Sequence, residues 1–145
     1  MRHAEILNQL KDWARIDRRG AVTDAASGFV LPSGARRSPD AAWTLKSRLA
    51  QLGKESLSRF WHLSPDFVIE LKSDSDRLPV LRKKMEEWIA NGTQLGWLLI
   101  PEARTVEIFR PDLEPETRAG IDLLAGDGPM ETFILALQPV WEPLA

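Results

Sequence analysis

A predicted core strand that carries charged side chains constrains this chain more than any other feature. It lies within residues 63–76, LSPDFVIELKSDSD, where residues 67–69 are too apolar for a simple edge strand. Because side chains alternate along a strand, Glu70 and Lys72 share one face. A charged pair on a buried strand is costly unless the fold uses it.

Glu70 and Lys72 are close enough to serve one reacting centre. At ~3.3 Å per residue, their Cα atoms lie roughly 6.6 Å apart. An acidic residue followed two positions later by lysine on a core strand is typical of metal-dependent nucleases. The pair also fits a solvated edge or a cross-strand ion pair, and the pattern alone leaves these interpretations open.

A metal ion that binds phosphate needs a second hard oxygen ligand beside Glu70. Asp66 shares its face but lies roughly 13 Å away along an extended strand, too far for the same ion. A neighbouring strand must supply the ligand, and the best candidate is Asp40, which follows Pro39 at a predicted strand start. Asp40 also fits a plain turn residue. Asp40 and Glu70 are thus the predicted ligands of Mg²⁺ or Mn²⁺.

Cationic side chains near this pair have separate predicted roles. Lys72 can orient the nucleophile and neutralise charge that builds on phosphorus. On the next helix, the ~100° turn per residue directs Lys84 toward the sheet and Lys83 toward water. Arg36 and Arg37 precede Asp40 and either grip backbone phosphates or are merely solvated.

The two histidines, His3 and His62, are interpreted as incidental. They are widely separated in sequence, and neither falls in a metal-ligand spacing.

Hydrophobic periodicity predicts a mixed α/β order. The predicted elements are a helix over residues 3–18, a hairpin of strands 21–23 and 28–31, a strand at 40–45, a loop with a short helix over 46–63, the Glu70 strand, a helix from Leu78 that closes at residues 91–92, a hairpin of strands 94–100 and 105–109, and short β segments near 120–124 and 132–137. A helix that links two strands of one sheet favours a parallel pair there. The sequence therefore predicts a central mixed β-sheet flanked by helices.

Length and composition bound the class of protein. With 145 residues, 43% of them hydrophobic and 28% charged, the chain is predicted to be one domain over residues 1–145. The absence of cysteine excludes disulfides, thiolate metal sites and cysteine nucleophiles, and a cytoplasmic location fits best. No apolar run approaches the ~20 residues that cross a bilayer. A net charge of −2 argues against coating nucleic acid by bulk electrostatics, although the first 100 residues hold 16 basic and 12 acidic side chains.

The ordered motifs resemble the PD-(D/E)XK restriction-endonuclease-like superfamily. They are Pro39-Asp40, the triplet of residues 70–72 and Lys84 on the following helix. Within that superfamily, the segments SPDAAW, PDFVIELKSDSD, LRKKMEEWIANG and LGWLLIPEARTVEIFRP resemble the Uma2 family of bacterial restriction-endonuclease-like proteins over nearly the whole chain. The resemblance implies a restriction-endonuclease-like α/β core, a divalent metal, hydrolysis of phosphodiester bonds and a homodimer.

Three positions bear on how far this resemblance extends. The supporting acid that superfamily members often place on the first helix has its nearest candidate in Glu5. Trp88 stands where relatives usually carry tyrosine, which we interpret as a packing change. Lys72 is present although many relatives lack lysine there, and this favours activity.

The leading hypothesis is a Mg²⁺- or Mn²⁺-dependent endonuclease acting on DNA, with Asp40, Glu70, Lys72 and Lys84 as its catalytic residues. One alternative is a nuclease-fold interaction module without catalysis. Another is a structural half of an oligomer that uses Trp97 and the 94–109 hairpin as its contact surface, although tryptophans in a small domain are more often core.

Overall fold

The computed structural model describes residues 1–53 and 60–144. Its helices and strands are α1 (Arg2–Asp17), β1 (Gly20–Asp24), β2 (Gly28–Val30), β3 (Arg36–Arg37), β4 (Ala41–Leu45), α2 (Lys46–Leu49), β5 (Phe60–Trp61), β6 (Phe67–Leu71), α3 (Leu78–Ala90), β7 (Leu95–Ile100), β8 (Thr105–Phe109), β9 (Glu116–Ala119), β10 (Leu123–Ala125), β11 (Ile134–Ala136) and α4 (Gln138–Trp141). Short 3₁₀ turns follow β7 at Pro101–Ala103 and β10 at Gly128–Met130.

A six-stranded mixed sheet forms the centre of the fold, in the order β1-β4-β6-β7-β8-β9. β6 and β7 are parallel, and the other neighbouring pairs are antiparallel. α3 makes the crossover between β6 and β7, because parallel strands need a long connection. The predicted central mixed sheet is confirmed.

Of the two predicted hairpins, one is confirmed and one is wrong. β7 and β8 form the expected antiparallel pair. The turn after Asp24 also exists, since its backbone carbonyl accepts the N–H of Ser27 and its carboxylate accepts the N–H of Ala26. β1, however, pairs with β4, whereas β2 joins β3 and β5 in a separate three-stranded sheet. Local turn chemistry fixes the reversal of the chain but not the partner of each strand.

Two further predictions concern the ends of the sheet and the middle of the chain. The short β segments near the C-terminus are present as the antiparallel pair β10 and β11, but β9 was not expected. The predicted loop over residues 46–63 contains the short helix α2 and the strand β5. Its central part, residues 54–59, lies outside the described residues.

Apolar side chains bury both faces of the sheet. α1 packs on one face through Ile6 and Leu10. α3 covers the other face through Met85 and Trp88. All five residues of β6 are therefore buried, Glu70 among them.

Trp97 belongs to this core and not to the surface. It is fully buried on β7, and its ring meets Phe67 edge to face with centroids 4.9 Å apart. It stacks on Phe133 at 5.7 Å. The oligomer alternative is wrong in its use of Trp97 as an exposed contact residue.

In the part of the chain that the structure describes, every helix is too short or too polar to cross a bilayer.

Candidate functional site

Asp40 and Glu70 lie side by side where β4 begins and β6 ends. The antiparallel register pairs Ala41 with Ile69, which sets the preceding Asp40 beside Glu70. The N–H of Asp40 donates to Glu70 Oε1 at 3.1 Å, and the N–H of Leu71 donates to Asp40 Oδ2 at 2.7 Å. The structure thus brings the two predicted ligands together, and each carboxylate accepts a main-chain N–H from the neighbouring segment.

Glu70 is almost enclosed by protein, with 2% of its surface exposed. Its Oε2 lies 2.8 Å from Lys84 Nζ and accepts a hydrogen bond from Trp88 Nε1 at 3.1 Å. Burial raises the pKa of the Glu70 carboxyl, the nearby Lys84 ammonium opposes that rise, and the Asp40 carboxylate adds to it. The net direction is upward because the loss of hydration is the largest effect.

α3 supplies both donors to Glu70 Oε2 from one face. Lys84 and Trp88 are four residues apart, a spacing that places side chains next to each other on a helix. The Lys84 side chain is 28% exposed, and its ammonium also donates to the carbonyl of Ser38 at 3.3 Å. Lys83 is exposed, as the helical geometry predicts. Trp88 does more than pack, contrary to the sequence-based interpretation, since its indole N–H fixes the Glu70 carboxylate.

Asp40 meets α1 on its other side. His3 Nε2 lies 3.4 Å from Asp40 Oδ1. The interpretation of His3 as incidental missed this contact, because no ligand spacing in the sequence links the first turn of α1 to β4. Glu5 lies two positions further along the helix, and residues at that spacing do not share a face.

Lys72 lies just beyond β6, and its ammonium pairs with an acid outside the predicted cluster. Its N–H donates to the carbonyl of Leu99 at 2.9 Å. Its ammonium lies 2.7 Å from Glu102 Oε1, in the 3₁₀ turn after β7, and 3.3 Å from the carbonyl of Ser73. The structure therefore places the Lys72 ammonium with Glu102, a residue that the sequence analysis did not single out.

The carboxyl of Asp76 lies within the electrostatic influence of both Lys72 and Lys84. Hydrogen bonds from Ser73 are the main cause that lowers the pKa of the Asp76 carboxyl, and the ammonium groups of Lys72 and Lys84 both add to the effect. Both cations therefore act on the segment that connects β6 to α3.

A cleft of about 440 Å³ opens beside this cluster. It lies between the start of α1, the end of β6 and the turn after β7, and its lining includes Arg2, His3, Leu71, Lys72, Asp74 and Glu102. His3 contacts Asp40 and also lines the cleft. Asp40, Glu70 and Lys84 are not among its lining residues, so the cleft adjoins the acidic pair through His3.

The two predicted phosphate-binding arginines differ in their surroundings. Arg37 forms an ion pair with Glu87 of α3, with Nη2 and Oε2 3.1 Å apart. Arg36 is exposed, and its guanidinium carbon lies 5.4 Å from the centre of the Phe60 ring. Only Arg36 of this pair keeps its guanidinium outside an ion pair among the described residues.

Comparison with known proteins assigns the chain to a family. The Uma2 family, described as "Putative restriction endonuclease", matches residues 2–138. The chain belongs to the Uma2 family. No curated protein matches it.

A solved structure shares the fold of this Uma2 chain. It is a crystal structure from Anabaena variabilis, described as a "putative nuclease belonging to DUF820". The TM-score is 0.84 at 20% identity, and the match covers 99% of this chain and 80% of that chain. The α/β architecture expected for the restriction-endonuclease-like fold is therefore confirmed.

The donor set of the Uma2 site suits a hard divalent cation. Mg²⁺ and Mn²⁺ prefer carboxylate oxygens, and Mg²⁺ is usually held by one or two carboxylates together with water and substrate oxygens. Glu70 Oε1 and Asp40 Oδ2 each accept one main-chain hydrogen bond, which leaves lone pairs for a metal. Within residues 1–53 and 60–144, no group of three or more His, Cys, Asp or Glu side chains is arranged to hold a metal. A cation held by Asp40 and Glu70 would leave room in its coordination shell for water or substrate oxygens.

Proposed function

We propose that this Uma2 chain is a divalent-metal-dependent endonuclease that hydrolyses phosphodiester bonds in DNA. The observation that carries the proposal is the placement of Asp40 beside Glu70, where the Asp40 N–H donates to the Glu70 carboxylate and the Leu71 N–H donates to the Asp40 carboxylate, near an open cleft that Lys72 lines. Membership of a family described as restriction endonucleases supports DNA as the substrate.

In this proposal each side chain has a definite task. Asp40 and Glu70 would hold Mg²⁺ or Mn²⁺, which when bound polarises a phosphate oxygen and makes water a stronger nucleophile. Lys84 favours the ionised form of the buried Glu70 carboxyl, which is the form that binds a cation. Trp88 fixes the orientation of that carboxylate through its indole N–H.

Lys72 is the cation that meets the substrate. It lines the cleft, and its ammonium is a compact charge on a flexible stem. It is therefore suited to contact the scissile phosphate and to stabilise negative charge that develops on its oxygens. Arg36 is suited to hold a phosphate elsewhere on the DNA backbone.

Cleavage of plasmid DNA tests the proposal. We expect the purified chain to nick or linearise supercoiled plasmid with Mn²⁺ or Mg²⁺ and not with EDTA. D40N and E70Q should abolish cleavage, whereas K83A, which changes an exposed lysine beside the site, should not. Crystals soaked in Mn²⁺ should show anomalous density between Asp40 and Glu70.

A nuclease-fold interaction module without catalysis is the second candidate. The observation that favours it is the ion pair between Lys72 and Glu102. In that pair the Lys72 ammonium is bound to a carboxylate and is not available to a phosphate. In that case Mn²⁺ should neither bind at Asp40 nor produce cleavage of DNA or RNA.

We also propose a homodimer as the assembly of this chain. The proposal rests on the resemblance to restriction-endonuclease-like proteins. Light scattering during gel filtration should give twice the chain mass of 16.4 kDa. A mass equal to one chain would contradict it.

A further inference from the structure

The ion pair of Lys72 and Glu102 joins two parts of the cleft wall. Lys72 follows β6, and Glu102 lies in the turn Pro101–Ala103 after the parallel strand β7. The Lys72 side chain is 14% exposed, whereas that of Glu102 is 48% exposed. The lysine is therefore held by its surroundings, and the glutamate is the partner that is free to leave.

Glu102 also lies near a second cation. Arg2 lines the same cleft and contributes to lowering the pKa of the Glu102 carboxyl, for which the hydrogen bond from Lys72 is the largest cause. The guanidinium of Arg2 is anchored, since Nε donates to the carbonyl of Val140 at 2.8 Å and Nη2 to that of Trp141 at 3.2 Å. The carboxylate of Glu102 thus occupies a place that two fixed cations make favourable for an anion.

A phosphate diester can bind to the same cations as the Glu102 carboxylate. Both are anions with oxygen acceptors, and an ammonium binds either one as a point charge. We propose that Glu102 is an internal substitute for a substrate phosphate, which occupies Lys72 in the free protein and is displaced when nucleic acid enters the cleft. This proposal rests on the proposed nuclease function and adds a residue that controls access to Lys72.

Competition of this kind predicts a specific kinetic signature. Removing the charge of Glu102 frees Lys72 in the unbound protein, so binding of nucleic acid should tighten. The gain should be modest, about threefold, because an ion pair with a half-exposed partner is weak. The chemical step should change little, because Glu102 leaves before it occurs.

The experiment compares E102Q with E86Q, which removes the same charge from an exposed position on α3. Binding of a short fluorescein-labelled DNA duplex is measured by fluorescence anisotropy in EDTA, and plasmid cleavage is measured with Mn²⁺. We expect E102Q to lower Kd and KM about threefold with kcat nearly unchanged. E86Q should match the wild type, and the effect of E102Q on Kd should be smaller in a K72A background.

Two results would overturn the proposal and leave the nuclease function standing. In the first, the wild type cleaves DNA but E102Q has the same Kd and KM as E86Q. In the second, E102Q lowers kcat at constant KM, which would make Glu102 a residue that orients Lys72 for the reaction. If the wild type neither binds nor cleaves nucleic acid, both proposals are wrong. Thermal melts of each variant establish that it is folded.

Discussion

The main-chain N–H of Asp40 donates to the carboxylate of Glu70, and the N–H that follows Glu70 donates to the carboxylate of Asp40. Sheet register therefore sets the two acids side by side. Under the proposed function, such a pair would be organised before a cation binds, which would reduce the ordering that binding requires.

Divalent cation should stabilise the folded chain against heat. A ligand that binds only the folded state adds ~2.7 kcal/mol to the free energy of unfolding at 100 times its Kd. We expect Mn²⁺ to raise the Tm of the wild type in a concentration-dependent manner and to leave the Tm of E70Q and D40N unchanged. Scanning calorimetry across a Mn²⁺ series is the measurement. An equal rise in wild type and E70Q would place the metal elsewhere.

The buried Glu70 carboxyl should make stability depend on pH. Its pKa is raised in the folded state above the ordinary value of 4.5, so the stability it contributes is fully present below pH 4.5. That contribution is lost as the pH rises through the folded-state pKa. E70Q cannot titrate, so its free energy of unfolding should improve relative to that of the wild type as the pH rises over the same window. Urea unfolding without metal checks this. A difference between the two proteins that is constant with pH, or that changes in the opposite direction, would contradict it.

Lys84 and Lys83 form a matched pair for mutation. K84M removes the only ammonium that the structure places against Glu70 within the described residues, and it keeps most of the apolar stem. Loss of the charged donor leaves the buried carboxylate without its partner, which should lower the free energy of unfolding by about 1–2 kcal/mol because Lys84 is partly exposed. K83M should change the free energy of unfolding by less than ~0.5 kcal/mol. Denaturant titration measures both, and equal effects would remove Lys84 from the site.

Substitution of Arg36 and of Arg37 should have different effects on the salt dependence of DNA binding. Each phosphate contact contributes roughly one unit to the slope of log Kd against log salt concentration. We expect R36A to reduce that slope by about one, because its guanidinium is exposed. R37A should leave the slope nearly unchanged and lower stability by less than ~1 kcal/mol, because Arg37 is paired with Glu87. Anisotropy across a salt series decides, and a reduced slope for R37A alone would reverse the assignment.

The parts of the fold that sequence predicts are those set by local pattern. The apolar run of β6, the proline in the first turn of α3 and the break at residues 91–92 together predict a strand, crossover helix and parallel strand. Helical geometry also separates Lys84 from Lys83, since it depends only on the angle per residue.

The parts that sequence does not predict are side-chain contacts between distant segments. His3 meets Asp40 because α1 packs on the sheet, and Lys72 meets Glu102 because β6 and β7 are parallel and end at the same edge. Neither pair has a spacing or motif that would reveal it. The donor role of Trp88 is similar, since its apolar ring explains its burial and conceals its hydrogen bond to Glu70.

The position of α3 between β6 and β7 has a consequence for the synthesis and folding of the chain. The start of β4, the end of β6 and the middle of α3 carry Asp40, Glu70 and Lys84, and these segments meet only when the strands are in register and the helix has docked. A nascent chain on the ribosome holds the same residues without the cluster. Under the proposed function, folding is then the step that assembles the nuclease site, and an incompletely folded chain should not cleave DNA.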